Sequence, residues 1–230
     1  MNSFTNVINW TPCEDLIKNC KNLDYAIIIL NTPINFNSNQ QFIINLWNQA
    51  KVRVTVDGGT KKWVDWLTAN ECEFDNILNP NLITGDMDSL PEEVLNYFRN
   101  DYTKIVTTPD QNETDYTKAL QELNKYCNAE NIEIKTIYVL VDTCGRFDQI
   151  MANINTLYKS TAIIQNVQLF QIAASSITWL LQRGRHSISI PVNLRSNQEW
   201  CSLIPIGKPC VITSTGLKWN IGKIQMHVIC

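Results

Sequence analysis

The run Tyr25-Ala26-Ile27-Ile28-Ile29-Leu30 places the tightest limit on what this chain can fold into. It has no polar residue at alternate positions, so a strand here has no face to give to water. Such a strand belongs inside a sheet covered on both sides, and helices are what cover the two faces of a sheet. The neighbouring sequence supplies them. Phe42, Ile43, Leu46 and Trp47 recur at helical spacing and lead into a second strand, Val52–Val56; a helix from about Thr60 to Leu67 then precedes a short strand ending at Gly85. Pro91 opens a helix that runs to Phe98, at a position where its missing N–H does no harm. Strand Lys104–Thr107 follows, then a helix with Tyr116, Ala119, Leu120, Leu123 and Cys127 on one face. Asn112 and Asp115 resemble a capping pair at its start. Strand Thr136–Val141 and a helix burying Ile150, Ile154, Leu157 and Tyr158 complete the pattern. The alternation predicts an α/β domain with a mainly parallel sheet flanked by helices and right-handed crossovers.

The texture changes near Ser160. The runs Val167–Ile172, Ile177–Leu181, His186–Ile190, Trp200–Ile204 and Pro209–Thr213 are short, strand-like and separated by turns. They predict a smaller antiparallel β-sandwich over residues 161–230, after an α/β domain over 1–160.

Bulk properties narrow the partners. A length of 230 residues allows a full core, while a formal charge of −3 without a basic run argues against nucleic acid. Eight cysteines with no C-x-x-C, and only His186 and His227, argue against zinc or a disulfide framework. Met1–Trp10 lacks the features of a signal peptide, and no apolar run approaches the ~20 residues of a membrane span. A cytoplasmic protein with a small-molecule partner is the expectation.

Chemistry gathers where the strands end. Gly85-Asp86-Met87-Asp88-Ser89 sets two carboxylates two residues apart, and two such charges repel by roughly 1 to 4 kcal/mol at about 4 Å. A hard divalent cation such as Mg²⁺ is the usual reason to keep them together. Asp57, Asp115 and Asp148 also follow strands at the end of the sheet where α/β proteins bind ligands. Mg²⁺ at such a site brings a polyphosphate with it. Gly58 and Gly59 let backbone N–H groups approach an anion, and Arg146 and Lys118 are candidate phosphate contacts. The P-loop pattern is absent.

Four blocks together resemble the thiamine pyrophosphokinase family: Asp57-Gly58-Gly59, Gly85 to Ser89, Thr108 to Lys118, and Gly145-Arg146-Phe147-Asp148-Gln149-Ile150-Met151-Ala152-Asn153. They occur in the family's order, and the last two are the most distinctive. The resemblance covers most of Tyr25 to Tyr158 and continues more weakly to Gly216–Asn220. It implies transfer of the β,γ-pyrophosphoryl unit of ATP to the hydroxyethyl oxygen of thiamine, an α/β domain followed by a β-sandwich, and a homodimer whose active sites use both subunits. It also implies that Asp86, Asp88 and Asp115 hold Mg²⁺ and the phosphates, with Asp148 among the catalytic carboxylates. By the same resemblance Asp57, Gly58, Gly59, Gln111, Thr114, Lys118, Arg146 and Asn153 line the nucleotide and reacting-group pocket.

The chain departs from the family at Asn112, at Asp142-Thr143-Cys144 and after Trp219-Asn220, where Ile221–Cys230 replaces the usual continuation. The thiamine half-site is therefore expected to differ more than the nucleotide half-site. Trp219 is expected in the sandwich core, with stacking on an aromatic cation as the alternative. Two other functions compete: a nucleotide-sugar transferase built on Asp86-Met87-Asp88, and a non-catalytic binding module that has lost its acceptor site.

Overall fold

A computed structural model of the chain describes residues 6–18, 20, 23–35, 40–99 and 102–226. The start of the Met1–Trp10 segment and the last four residues of the atypical end, His227–Cys230, lie outside them.

The element order is β1 (Val7–Trp10), α1 (Pro12–Ile17), β2 (Tyr25–Ile29), α2 (Gln40–Asn48), β3 (Val52–Val56), α3 (Gly58–Ala69), β4 (Leu82–Gly85), α4 (Glu92–Arg99), β5 (Lys104–Thr107), α5 (Asp115–Glu130), β6 (Thr136–Leu140), α6 (Phe147–Ile163), β7 (Gln168–Ala173), β8 (Ser176–Thr178), β9 (Arg185–Ile188), α7 (Val192–Ser196), β10 (Cys210–Ile212) and β11 (Ile224–Met226). The main sheet runs β5-β4-β3-β2-β6-β7-β8, parallel throughout except for the β7–β8 pair.

The apolar run that constrains the fold is β2, near the middle of this sheet, and all five of its residues are buried. Ala26, Ile28 and Leu30 pack with α5 residues such as Tyr116, Ala119, Leu120 and Leu123. Tyr25, Ile27 and Ile29 face the other way, against Ile43, Leu46 and Trp47 of α2 and Trp63 and Leu67 of α3. The period-two alternation of a strand thus sends apolar residues to two separate cores. Edge strand β5 has no buried residue, and its sequence is accordingly the more polar Lys104-Ile105-Val106-Thr107.

The expected class holds, a mainly parallel sheet flanked by helices with a small antiparallel sheet after it, while its details change. Gln168–Ala173 does not open a second domain: it is β7, joined to β6 in parallel by the crossover helix α6, with Thr136 opposite Gln168 and Leu140 opposite Ile172. The compact units accordingly part between Ser189 and Ile190, not near Ser160. The runs foreseen as a sandwich also disperse. Ser176–Thr178 closes one edge of the main sheet, Arg185–Ile188 pairs in parallel with β1, and Trp200–Ile204 forms no strand. Among the described residues, the second unit holds α7 and one antiparallel pair, β10 with β11.

The start of α5 also differs. Thr114, not Asn112, is its N-cap, accepting a hydrogen bond from the Thr117 amide at 3.2 Å. The Asn112 amide and side chain instead donate to Asp110 Oδ1 at 2.9 and 2.8 Å, which closes the loop before the helix.

Candidate active site

The site is built where β3 and β4 end side by side. β3 hands directly to α3 through Asp57, whose backbone sits at φ 48° and ψ −127°. Few residues with a side chain adopt such a conformation. Hydrogen bonds hold it there: the Asp57 amide donates to the Thr84 carbonyl at 2.7 Å, and the Thr60 amide donates to the Asp57 carbonyl at 2.9 Å. The helix opens on glycine because α3 starts against β2. A Cβ on Gly59 would lie 2.7 Å from the Ile29 carbonyl oxygen, and the space beside Gly58 is filled by the Asn31 side chain.

β4 ends in Gly85, at φ 146°, and a Cβ there would come within 2.6 Å of the Asp57 Cβ. That close approach brings the next two acids to Asp57. One carboxylate oxygen from each of Asp57, Asp86 and Asp88 lies within 4.8 Å of the others. Asp57 is buried, Asp86 half-buried and Asp88 exposed. The oxygens are hard donors, and three negative charges within that span suit a small divalent cation such as Mg²⁺.

Neighbouring donors aim these carboxylates. Burial alone would raise the Asp86 carboxyl. Its hydrogen bonds from Gln111 Nε2 at 3.2 Å and the Asp88 amide at 3.3 Å, with the nearby Lys118 ammonium, hold it below the usual carboxylate range. Ser89, which the sequence did not single out, ties two acids together: its amide donates to Asp57 Oδ1 at 3.3 Å and its hydroxyl to Asp88 Oδ1 at 2.9 Å. Its place directly after the second acid was the available signal.

Asp115 is not part of this trio. Its Oδ1 lies 2.8 Å from Lys118 Nζ, one turn along α5. Lys118 also donates to the carbonyls of Thr108 and Asp110 at 2.8 and 2.9 Å. Thr114 is committed as the α5 cap, and its hydroxyl lies 3.0 Å from that of Thr117, which meets Thr156 of α6 at 2.9 Å. These hydroxyls fix the start of α5 to α6.

Arg146 and Asp148 form a third group at the start of α6. Arg146 Nε donates to Asp148 Oδ1 at 3.1 Å and its NH2 group to Oδ2, a two-pronged pair open to solvent. That bonding raises the guanidinium and lowers the carboxyl from their ordinary values. Gly145, at φ 86°, makes the turn before it. Asn153, two turns along α6, lines a hollow with Asp142, Thr143, Gln171 and Thr178, and its carbonyl accepts from Gln171 Nε2 at 2.7 Å. In the second unit, Trp219 is 79% exposed and not a core residue, with Lys218 Nζ 5.8 Å from its ring centre.

The geometry therefore gathers carboxylates, a buried ammonium and a guanidinium after β3, β4, β5 and β6 of a parallel sheet, the end at which such sheets hold their ligands. Known proteins agree. The family model for the catalytic domain of thiamin pyrophosphokinase matches residues 43–169, and that for its vitamin B1 binding domain matches 185–228. Thiamine pyrophosphokinase 3 of Oryza sativa subsp. japonica is 32% identical over 209 residues, which is 88% of this chain and 74% of that protein. The solved structure of thiamin pyrophosphokinase from Candida albicans, 25% identical, superposes with a TM-score of 0.79 over 96% of this chain and 82% of its own. Yeast thiamin pyrophosphokinase shares the fold at a TM-score of 0.81 and 22% identity, over 99% of this chain and 83% of that one. With both family models matched in order and more than half of the chain inside the catalytic one, the chain belongs to the thiamin pyrophosphokinase family.

Proposed function

We propose that the chain transfers the β,γ-pyrophosphoryl group of ATP to the hydroxyethyl oxygen of thiamine. The hydroxyl oxygen bonds to the β phosphorus and loses its proton, the bridge to the α phosphorus breaks, and AMP leaves with the bridging oxygen. The observation that carries this reading is the convergence of Asp57, Asp86 and Asp88 at the ends of adjacent parallel strands. It occurs in a chain that matches both the catalytic and the vitamin-binding models of one family.

Asp57, Asp86 and Asp88 are the residues that would hold Mg²⁺, with Gln111 and Ser89 fixing their oxygens from behind. The cation, when bound, neutralises phosphate charge and orients the polyphosphate. Asp115, foreseen as a third ligand, lies outside the trio and is proposed to act through its pairing with Lys118. Gly58 and Gly59 let the start of α3 pack closely against β2 and Asn31, which fixes the backbone beside Asp57, and the exposed Arg146 fork can exchange Asp148 for a phosphate edge at little desolvation cost. Asn153 borders a shallow hollow with Asp142, Thr143 and Gln171, and is proposed to contact the nucleotide from there. Phosphoryl chemistry of this kind depends on positioning and charge more than on a strong base, which suits a site rich in fixed carboxylates and donors.

The second unit is proposed to receive thiamine, with the exposed Trp219 indole as a stacking surface for its cationic ring. A homodimer is supported by α6, where Phe147, 72% exposed, and Met151 lie one turn apart on the outer surface of a helix whose other side is core. No described helix is long and apolar enough to cross a membrane. Among the described residues no cysteine is disulfide-bonded; a cytoplasmic setting is proposed from the sequence, whose eight cysteines show no C-x-x-C spacing.

The test is AMP formation from ATP in the presence and absence of thiamine and of Mg²⁺. Release that requires both supports the proposal. Thiamine-independent release, or nucleoside diphosphate liberated from a sugar donor, refutes it. Nucleotide binding without thiamine binding by calorimetry would point to a non-catalytic module instead.

A further inference from the structure

Lys118 carries a charge into the interior: it is 4% exposed, one turn inside α5. An ammonium has three protons to donate and no acceptor. All three have partners: the Thr108 carbonyl at 2.8 Å, the Asp110 carbonyl at 2.9 Å and Asp115 Oδ1 at 2.8 Å. A buried cation with its donors filled is stable where it is, and turning one toward a phosphate would strand a carbonyl or a carboxylate.

The acceptors are not scattered. Thr108 and Asp110 belong to the loop between β5 and α5, and Asp115 begins the helix. The loop is anchored at its start, where the Thr108 amide donates to the Gly85 carbonyl at 2.7 Å, directly before Asp86. Its next turn is closed by the two Asn112 hydrogen bonds to Asp110 Oδ1. Gln111, between those residues, reaches Asp86 Oδ2 at 3.2 Å. One ammonium therefore joins the helix to the loop that presents a donor to the acidic cluster.

We infer that Lys118 is a positioning residue. It clamps residues 108–111 to the first turn of α5 so that Gln111 meets Asp86, and it does not bind phosphate itself. The kinetic consequence rests on the pyrophosphokinase reading; the structural one does not.

Arginine separates the two roles. Its planar fork binds phosphate at least as well as lysine does, but it cannot direct three donors from one point onto two carbonyls and a carboxylate. Amide hydrogen exchange on the intact chain, without substrate, gives the first measurement. Lys118→Arg and Lys118→Met should both speed exchange at the Thr108 and Asn112 amides by about tenfold or more, with the interior of the main sheet unchanged. If Lys118→Met does not fold, Asp115→Asn keeps the lysine while removing the charge of one acceptor, and it should speed the same two amides. Exchange as slow as in the wild type in the folded variants would overturn the clamp.

The second measurement is the Mg²⁺ concentration for half-maximal AMP release at saturating ATP and thiamine. Both lysine variants should raise it about tenfold. Gln111→Ala should raise it about fivefold alone but less than about twofold on top of Lys118→Met, because the two act through one loop. Retained function in Lys118→Arg with multiplying losses in the double variant would show direct phosphate contact and refute the proposal. A wild-type chain that releases no thiamine-dependent AMP would refute the pyrophosphokinase reading, and the exchange measurement would still decide the clamp.

Discussion

Gly85→Ala is the sharpest perturbation of the acidic cluster that leaves every carboxylate in the chain. The added Cβ would sit 2.6 Å from the Asp57 Cβ and 3.0 Å from its Cα, against an ordinary contact of 3.4–4 Å, so one of the two strand ends must retreat by about 1 Å. Neither is free to do so. Asp57 is bonded to Thr84 and Thr60, and the Gly85 carbonyl accepts from Thr108 at 2.7 Å. Alanine must also adopt φ 146°, a region that costs a residue with a side chain about 1–3 kcal/mol. Overpacking adds about 1–3 kcal/mol. The more restricted unfolded chain returns about 0.4–1 kcal/mol. The net loss is about 1–5.6 kcal/mol, which most domains survive at 25 °C. Displacing Asp57 from Asp86 and Asp88 by about 1 Å should lower turnover by about 10²-fold in the molecules that remain folded. Urea unfolding followed by circular dichroism gives the first quantity, and thiamine-dependent AMP release at a temperature where the variant is folded gives the second. A stability loss under about 1 kcal/mol together with unchanged turnover would show that the strand ends do not meet as described.

Asp86→Asn and Asp88→Asn should each lower Mg²⁺-dependent turnover by about 10²-fold or more, as removal of a preorganised charge-stabilising group does elsewhere, with thermal unfolding showing no loss of stability; near-normal turnover in both would remove the cluster from the mechanism. Trp219→Ala should raise the KM for thiamine by about tenfold while leaving the KM for ATP unchanged, checked by varying one substrate at a time, since an exposed indole has little to contribute except stacking. Thr114→Ala should cost about 1 kcal/mol in urea unfolding through loss of the α5 cap; a neutral effect would mean that the cap is redundant with the Thr117–Thr156 contact.

The parallel sheet was legible because β2 has no polar face, and a strand without one can be satisfied only between two layers of helices. The acid at each junction was legible for a related reason: a strand ends where its apolar run stops, and Asp57 and Asp86 are the first polar residues beyond two such ends. Two properties were not legible. The pairing of Gln168–Ala173 with β6 leaves no mark on its own residues, because short apolar strands read alike in parallel and antiparallel sheets. Only the length of α6, enough for a crossover, hinted that the sheet continued past Ser160. The choice of Asp57 over Asp115 for the trio follows from strand order. β3 and β4 are neighbours and their ends touch, whereas Asp115 follows an edge strand by a loop whose path Lys118 decides. Adjacency of that kind is settled by tertiary pairing and not by spacing along the chain.

The backbone around the trio shows why such an arrangement persists. Asp57 at φ 48°, Gly85 at φ 146° and Met87 at φ 68° all lie on the left-hand side of conformational space, within the two segments that supply the acids. Two of the three carry side chains, and each conformation of that kind costs about 1–3 kcal/mol. The carboxylates they bring together repel one another as well, by up to about 4 kcal/mol per close pair at the dielectric of a protein surface. Stability alone would therefore favour glycine at 57 and a neutral residue at 86 or 88. The flanking structure holds the opposite: the amides of Asp57, Thr60, Ser89 and Thr108 are all engaged in keeping the two strand ends in register. Strain and repulsion that coincide at one point of a well-packed sheet, and that a single divalent cation would offset together, are what a site organised around its ligand requires, and a solvated acidic turn requires neither.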